Sequence, residues 1–410
     1  MSLFTLLSYL IGGRSVVLRI ATTPRAVWLG GLFVLSAGFA REYGSHDLWS
    51  EPWHLVLPFG ASLATSFLLF SLIFFVAVRR NVARRSFWST YFPFLALYWM
   101  TAPLAWLYAI PVEHLLSAPQ ATAANLALLA IVSVWRVSLM TRVVTVYFGA
   151  GVWAAFCLVM LFADTVALTI LYFTPLPIFN IMGGIPLTES EQMIQEAALW
   201  VGCLGVPTWF VWLLGVCIVW YGDKSWQAPQ ANVATEGRID PSLWCLAGVM
   251  VLGWGLVLPF TQPEQRLRHD VESALAHDRI AEAIQTMSRH DQKDFPPHWV
   301  SPPRAAYRDP KPPLFDVLDV ILDHGAAPWV RAAYLEKLDA ALDKFSTGWR
   351  LDSEESKKHD QLSNILERLP EGQSLVDRHA DGFSSAFTRA DPAVKDRLRA
   401  LLKTAGHDVE

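Results

Sequence analysis

The sequence is poor in cysteine, and its cysteines are confined to the apolar part of the chain. Only four occur among 410 residues. They are Cys157, Cys203, Cys217 and Cys245, and each lies in an apolar run. This distribution excludes CxxC motifs, a zinc ribbon and a disulfide framework from the polar C-terminal part. Small apolar side chains inside helices are the expected role of all four.

The sequence also lacks the short motifs of the common enzyme and nucleotide-binding families. GxSxG, Walker A, HExxH and a GxGxxG that follows a predicted strand do not occur. The net charge of −4 is spread thinly, without a polybasic run, so nucleic acid is not an expected partner. We therefore expect no cofactor and no metal ligands. The missing motifs weigh against an enzyme, although they do not exclude one.

Charge is scarce in the first part of the chain. Residues 1–261 hold only 12 of the 33 Lys and Arg residues and 11 of the 37 Asp and Glu residues. A helix that crosses the ~30 Å hydrocarbon layer needs about 20 mostly apolar residues. The pattern predicts an all-α fold: a polytopic transmembrane bundle over residues 23–261 and a soluble α-helical domain over residues 262–410.

Seven transmembrane spans are predicted within the bundle, and counts of six or eight stay open. The spans fall near residues 26–40, 53–78, 87–110, 121–135, 143–174, 197–221 and 243–260. The lipid bilayer is therefore the first expected partner.

Residues 1–22 fit an interfacial amphipathic helix better than a span. An apolar stretch of nine residues, Leu3–Ile11, is followed by two glycines and then by Arg14 and Arg19. Both arginines are expected to reach lipid phosphates from the headgroup layer. Arg136 and Arg142 are interpreted as snorkelling anchors that contact headgroups at the inner end of a span.

Basic residues alternate between loops in a way that predicts orientation. Eleven fall in every second gap: Arg14, Arg19, Arg25, Arg79, Arg80, Arg84, Arg85, Arg136, Arg142, Lys224 and Arg238. The remaining gaps hold Arg41 alone. The positive-inside rule then gives a cytoplasmic N-terminus, in a bacterial inner (cytoplasmic) membrane. With seven spans the C-terminal domain is extracytoplasmic, and an error of one span reverses this.

The C-terminal part reads as helices around a proline-rich connector. Helical patterns occur at 314–324, 329–345, 359–369, 375–389 and 392–405. The connector, residues 295–313, holds seven prolines and cannot form a continuous helix. Its aromatic residues suggest that it packs along a surface. A protein partner that binds through residues 262–410 is expected.

Two groups of residues are candidates for chemistry. Asp164 is the one carboxylate deep in a predicted span, and ionisable groups in membranes are functional candidates by default. It either forms structural hydrogen bonds, with Thr165, Thr169 or a neighbouring helix, or serves an ion or substrate. A weaker signal comes from His46, Asp47, His54, Glu113 and His114, which could converge for metal or proton chemistry if two outer loops meet.

One segment resembles a known family. An amphipathic N-terminal helix, the segment Thr23–Trp28 and a glycine-containing span together are similar to the start of Yip1-type polytopic membrane proteins. The resemblance covers residues 1–30 and implies only several closely spaced helices.

Three functions are consistent with these features. The first is a membrane-anchored scaffold that presents an extracytoplasmic helical interaction domain. The alternative is a small-solute or ion transporter that uses Asp164. A further alternative is a membrane enzyme that acts on lipid or cell-wall precursors.

Overall fold

The chain is described by a computed structural model in which residues 2–79, 86–173, 188–222, 239–303, 312–345, 353–389, 392–404 and 406 are placed. Over these ranges the regular structure is entirely helical, as predicted, and contains no strand. The chain divides between Pro263 and Glu264 into two compact units.

The apolar helices belong to the first unit, except that the last of them continues past Pro263 into the second unit. They are α1 (Leu3–Leu10), α2 (Arg14–Ala21), α3 (Ala26–Glu42), α4 (Val56–Arg79), α5 (Phe87–Trp99), α6 (Val112–Leu115), α7 (Ala118–Tyr147), α8 (Val152–Phe173), α9 (Glu189–Gly222) and α10 (Pro241–Ala276). A 3₁₀-helix, Pro52–Leu55, leads into α4, and a second, Ala102–Ala109, follows α5. Pro103 lies at the start of the second 3₁₀-helix, where its missing N–H costs nothing.

Within the described ranges, six helical segments are long and apolar enough to cross a membrane. They are Pro52–Val76, Phe87–Leu115, Ala118–Tyr147, Val152–Phe173, Glu189–Tyr221 and Pro241–Ala276. They contain the predicted spans 87–110, 121–135, 197–221 and 243–260 in full, and 53–78 up to residue 76. The predicted span 143–174 began too early, because the preceding helix continues to Tyr147, the helical structure breaks at 148–151, where Gly149 has φ 61°, and the crossing helix starts at Val152. Residue 174 lies outside the described ranges. The remaining predicted span, 26–40, falls in α3, which has 17 residues. At 1.5 Å per residue α3 is about 25 Å long.

The N-terminal segment differs from the single amphipathic helix that was expected. It forms two helices, α1 and α2, whose axes are bent by 115°. Gly12 lies between them with φ 86°, a conformation that glycine adopts without strain. Tyr9 is fully buried and donates its hydroxyl hydrogen to the Leu97 carbonyl at 2.5 Å. Phe4 and Ile11 expose their apolar side chains, and the interfacial position of this segment stays a prediction.

The two units differ in the number of large apolar side chains that they expose. Leu252, Leu256 and Phe260 of α10 are each at least 75% exposed, and α9 exposes Phe210 and Leu214. After residue 260, the only exposed large apolar residue in the described part of the chain is Val300. An apolar surface of this extent marks contact with a membrane or another protein. The part of the second unit that the structure describes has no comparable apolar surface.

The second unit has its own buried core. Its helices after the end of α10 are α11 (Ile280–Ser288), α12 (Leu314–His324), α13 (Pro328–Phe345), α14 (Ser353–Arg368), α15 (Gly372–Arg378), α16 (Ala380–Arg389) and α17 (Pro392–Thr404). The core runs from Val271 at the end of α10 to Leu402 in α17. On its surface, hydrogen bonds from His379 and Arg378 hold the pKa of Asp339 below its ordinary value.

The first part of the proline-rich connector packs against helices of the second unit. Phe295 is buried and stacks on Trp299 with ring centroids 4.7 Å apart. Tyr334 of α13 donates a hydrogen bond to the Pro302 carbonyl at 2.6 Å, and Lys337 donates one to the Pro303 carbonyl at 3.0 Å. Residues 304–311 of the connector lie outside the described ranges.

Candidate functional site

Asp164 lies on the face of α8 that packs against α9. Small residues of α9 bring the two backbones close together. A Cβ atom at Gly215 would lie 2.7 Å from the Cys157 sulfur, and one at Gly205 would lie 3.2 Å from Leu168. Close approach of this kind is typical of helix pairs in membranes.

Asp164 has a hydrogen-bond partner on the adjacent helix. Thr208 Oγ1 donates to Asp164 Oδ2 at 2.8 Å. One residue further along each helix, Trp209 Nε1 donates to Thr165 Oγ1 at 2.9 Å. Two polar pairs therefore hold α8 to α9. The partner is on the neighbouring helix, one of the possibilities considered from the sequence, while Thr169 donates to the Thr165 carbonyl instead.

The four arginines proposed for headgroup contact fall into two groups. Arg14 and Arg19 have exposed side chains, so their expected role stays a prediction. The other two contact protein groups: Arg142 Nε donates to the Gly12 carbonyl at 3.1 Å, and the Arg136 guanidinium lies 4.6 Å from the centre of the Tyr98 ring. Arg142 therefore fixes the turn between α1 and α2.

The second candidate site is built where α3 ends. The His46 amide donates to the Glu42 carbonyl at 3.1 Å, which places His46 one turn after Glu42. Asp47 is buried and closes the following turn, because its carboxylate accepts hydrogen bonds from the Trp49 amide at 3.1 Å and the Ser50 hydroxyl at 2.5 Å.

His54 then returns to the same place from the 3₁₀-helix Pro52–Leu55. Its ring stacks on that of His46, with centroids 3.6 Å apart and planes 16° apart. His46 Nε2 lies 3.6 Å from Glu42 Oε2, and His54 Nε2 lies 3.4 Å from Glu51 Oε2. One donor atom from each of Glu42, His46 and His54 lies within 4.8 Å of the other two. We call these three residues the His–Glu cluster.

The loop that carries the cluster is held by Gln262 of α10. Gln262 is 2% exposed, its Oε1 accepts a hydrogen bond from the Leu48 amide at 2.6 Å, and its Nε2 donates to the Tyr43 carbonyl at 3.1 Å. The Tyr43 hydroxyl donates to the Ala109 carbonyl at 3.1 Å. Burial, with a smaller effect of Glu113, raises the pKa of Tyr43, so this hydroxyl stays a donor.

Replacing Gln262 by leucine should destabilise this loop. Leucine has a similar volume but leaves the Leu48 amide unpaired, at a cost of ~1–3 kcal/mol. We expect a lower melting temperature for purified Gln262→Leu in detergent. Gln120→Leu is the matched control, because Gln120 accepts only an exposed hydrogen bond at 3.4 Å. Equal melting temperatures for Gln262→Leu and the wild type would contradict the anchoring role of Gln262.

The sequence pattern found only part of the cluster. His46 and His54 were correctly considered together, but Asp47 instead closes the turn. Glu113 accepts a hydrogen bond from Asn125 at 2.6 Å, and His114 is exposed. The cluster member Glu42 was missed, and so was Glu51, which lies beside His54. The spacing of four between Glu42 and His46 was the available signal, since side chains at that spacing meet on a helix.

The chain matches no protein-family model, and comparison with curated proteins and with solved structures gave no match.

Proposed function

We propose that this chain is a multi-pass protein of a bacterial inner membrane that anchors a soluble helical domain on the extracytoplasmic side, where the domain binds a protein partner. The observation that carries the proposal is the division into two units with separate buried cores. The first unit exposes many large apolar side chains, and the described part of the second exposes Val300 alone. A bilayer accounts for that exposure, while the second unit has a surface suited to water.

The proposed orientation requires seven crossings, the six long helices and α3. Contacts within the first unit support this number. Gln262 and Ala109 both meet the loop that follows α3, so the ends of three segments lie together. Gly12 and Arg142 meet at the other end of the bundle, near the start of α3.

This arrangement agrees with the alternation of charge. The loop that follows α3 belongs to the gaps that are poor in basic residues, and Arg142 and Arg14 belong to the rich ones. The positive-inside rule then assigns Gln262, which follows the apolar part of α10, to the extracytoplasmic side. Several of the arginines that set this bias, Arg80, Arg84, Arg85 and Arg238, lie outside the described residues.

Transport through Asp164 is the second candidate function. A half-buried carboxylate between two membrane helices motivates it. The hydrogen bond from Thr208 favours a structural role instead, because a paired polar group holds α8 to α9.

Two alterations of the full gene distinguish anchoring from transport in a strain that lacks the chain. Asp164→Asn keeps the size and hydrogen-bonding capacity of the side chain but removes its titratable charge. Truncation after Pro263 removes the second unit and leaves the first intact. Anchoring predicts that Asp164→Asn complements the deletion and that the truncated chain does not, when both are present at wild-type level in the membrane.

Transport predicts the opposite pattern. Loss of complementation by Asp164→Asn, together with activity of the truncated chain, would overturn the anchor proposal. Asp164→Leu is the control for the structural hydrogen bond. If Asp164 only holds α8 to α9, leucine removes this hydrogen bond, while the Thr208 hydroxyl keeps the Leu204 carbonyl as an acceptor at 2.8 Å. Stability should then fall by ~0.5–1.5 kcal/mol, the net contribution of one hydrogen bond.

A further inference from the structure

We propose that Glu42, His46 and His54 bind one first-row transition-metal dication, for which Zn²⁺ and Co²⁺ are the test ions. This departs from the expectation, drawn from the sequence, of a chain without metal ligands. It is independent of the anchor function.

The donor set selects the class of metal. Two imidazole nitrogens and one carboxylate oxygen suit zinc and its neighbours in the first transition row. Calcium and magnesium instead prefer oxygen ligands alone. Three protein ligands also leave a position open for water or another molecule.

The separations fit a single ion. Zinc–ligand bonds of 2.0–2.2 Å place tetrahedral ligand atoms about 3.3 Å apart. The distance from Glu42 Oε2 to His46 Nε2 is 3.6 Å, and the three donor atoms lie within 4.8 Å of one another. Glu51 Oε2 lies 3.4 Å from His54 Nε2, close enough to supply a fourth ligand or to orient the ring.

The backbone that carries the ligands is fixed without an ion. Asp47 closes the turn between the two histidines, and Gln262 bonds Tyr43 before that turn and Leu48 within it. Trp53 stacks on the His54 ring with centroids 3.8 Å apart. A site whose loop is already ordered loses little entropy when the ion binds.

The site also remains open to solutes. The side chain of His46 is 36% exposed, while those of Glu42 and His54 are 13% exposed. An ion can therefore reach the cluster from one side, and the other two ligands stay largely shielded. Both histidines lie in the loop for which an extracytoplasmic position is proposed.

Metal binding is tested on the full chain, purified in detergent without an affinity tag. We expect it to bind one Co²⁺ with a visible absorption band typical of four-coordinate cobalt, and to exchange it for Zn²⁺. X-ray absorption of the zinc-loaded chain should show ligands at about 2.0 Å and outer-shell scattering from two imidazole rings. Failure of the wild type to bind, or a shell without imidazole, overturns the proposal, and neither measurement needs a variant.

Variants then assign the site to the three residues. His46→Gln, His54→Gln and Glu42→Gln should each weaken Zn²⁺ affinity by about tenfold or more. At a Zn²⁺ concentration near the wild-type Kd, the melting temperature of the wild type should therefore rise clearly more than those of these three variants. His114→Gln and Glu113→Gln are matched controls from another loop and should bind as the wild type does. Equal affinity in the cluster variants and the wild type, or a comparable loss in the controls, overturns the assignment.

Discussion

Residues 264–410, expressed without the bundle, are expected to form a soluble, mainly helical protein that is monomeric or weakly associating. The core of this unit begins at Val271 and is complete within the segment, so no apolar side chain of the first unit is needed to fill it. Val300 is the one exposed large apolar residue in the part of this segment that the structure describes. Helical circular dichroism with a cooperative thermal transition is the expected result.

A shorter segment provides the control for this experiment. Residues 277–410 lack the end of α10 and with it Val271 and Leu275, which are at most 1% exposed. Burying a side chain of this size contributes ~1.5–3 kcal/mol, so the shorter segment should melt at a clearly lower temperature. Aggregation of 264–410 in the absence of detergent, or a spectrum dominated by strand or coil, would show that this unit depends on the bundle.

Helices with clear local signals were predicted closely from the sequence. The pattern at 314–324 corresponds to α12, Leu314–His324, which begins after Pro313 and ends at Gly325 with φ 75°. Local residues fix both ends, because proline precedes the first turn and glycine adopts the left-handed conformation. Helix 375–389, by contrast, is divided into α15 and α16 at His379.

Errors occurred where tertiary contacts decide the structure. One helix and two helices would show the same apolar pattern in the N-terminal segment. The bend at Gly12 could not be predicted from that pattern, because Arg142 of α7 holds it. Gln262 was assigned to the polar domain, because composition changes near it. The structure buries it in the first unit, where it bonds a loop about 215 residues earlier in the chain.

At the candidate sites too, contacts between distant parts of the chain could not be predicted from the sequence. Asp164 could be found from its position alone, since a carboxylate inside an apolar run is rare. Its partner Thr208 could not, because the register between α8 and α9 is set by packing at Gly205 and Gly215. His46 and His54 meet only because Asp47 turns the chain between them.

The side of the membrane on which the chain ends is the most direct test of the proposed anchor. Alkaline phosphatase fused after Glu410 should be active in a bacterial host, and a fluorescent protein that folds only in the cytoplasm should be dark at the same position. The same reporters fused after Gly222, at the end of α9, should give the reverse pattern. Fluorescence without phosphatase activity at Glu410 would mean an even number of crossings and would contradict an extracytoplasmic domain.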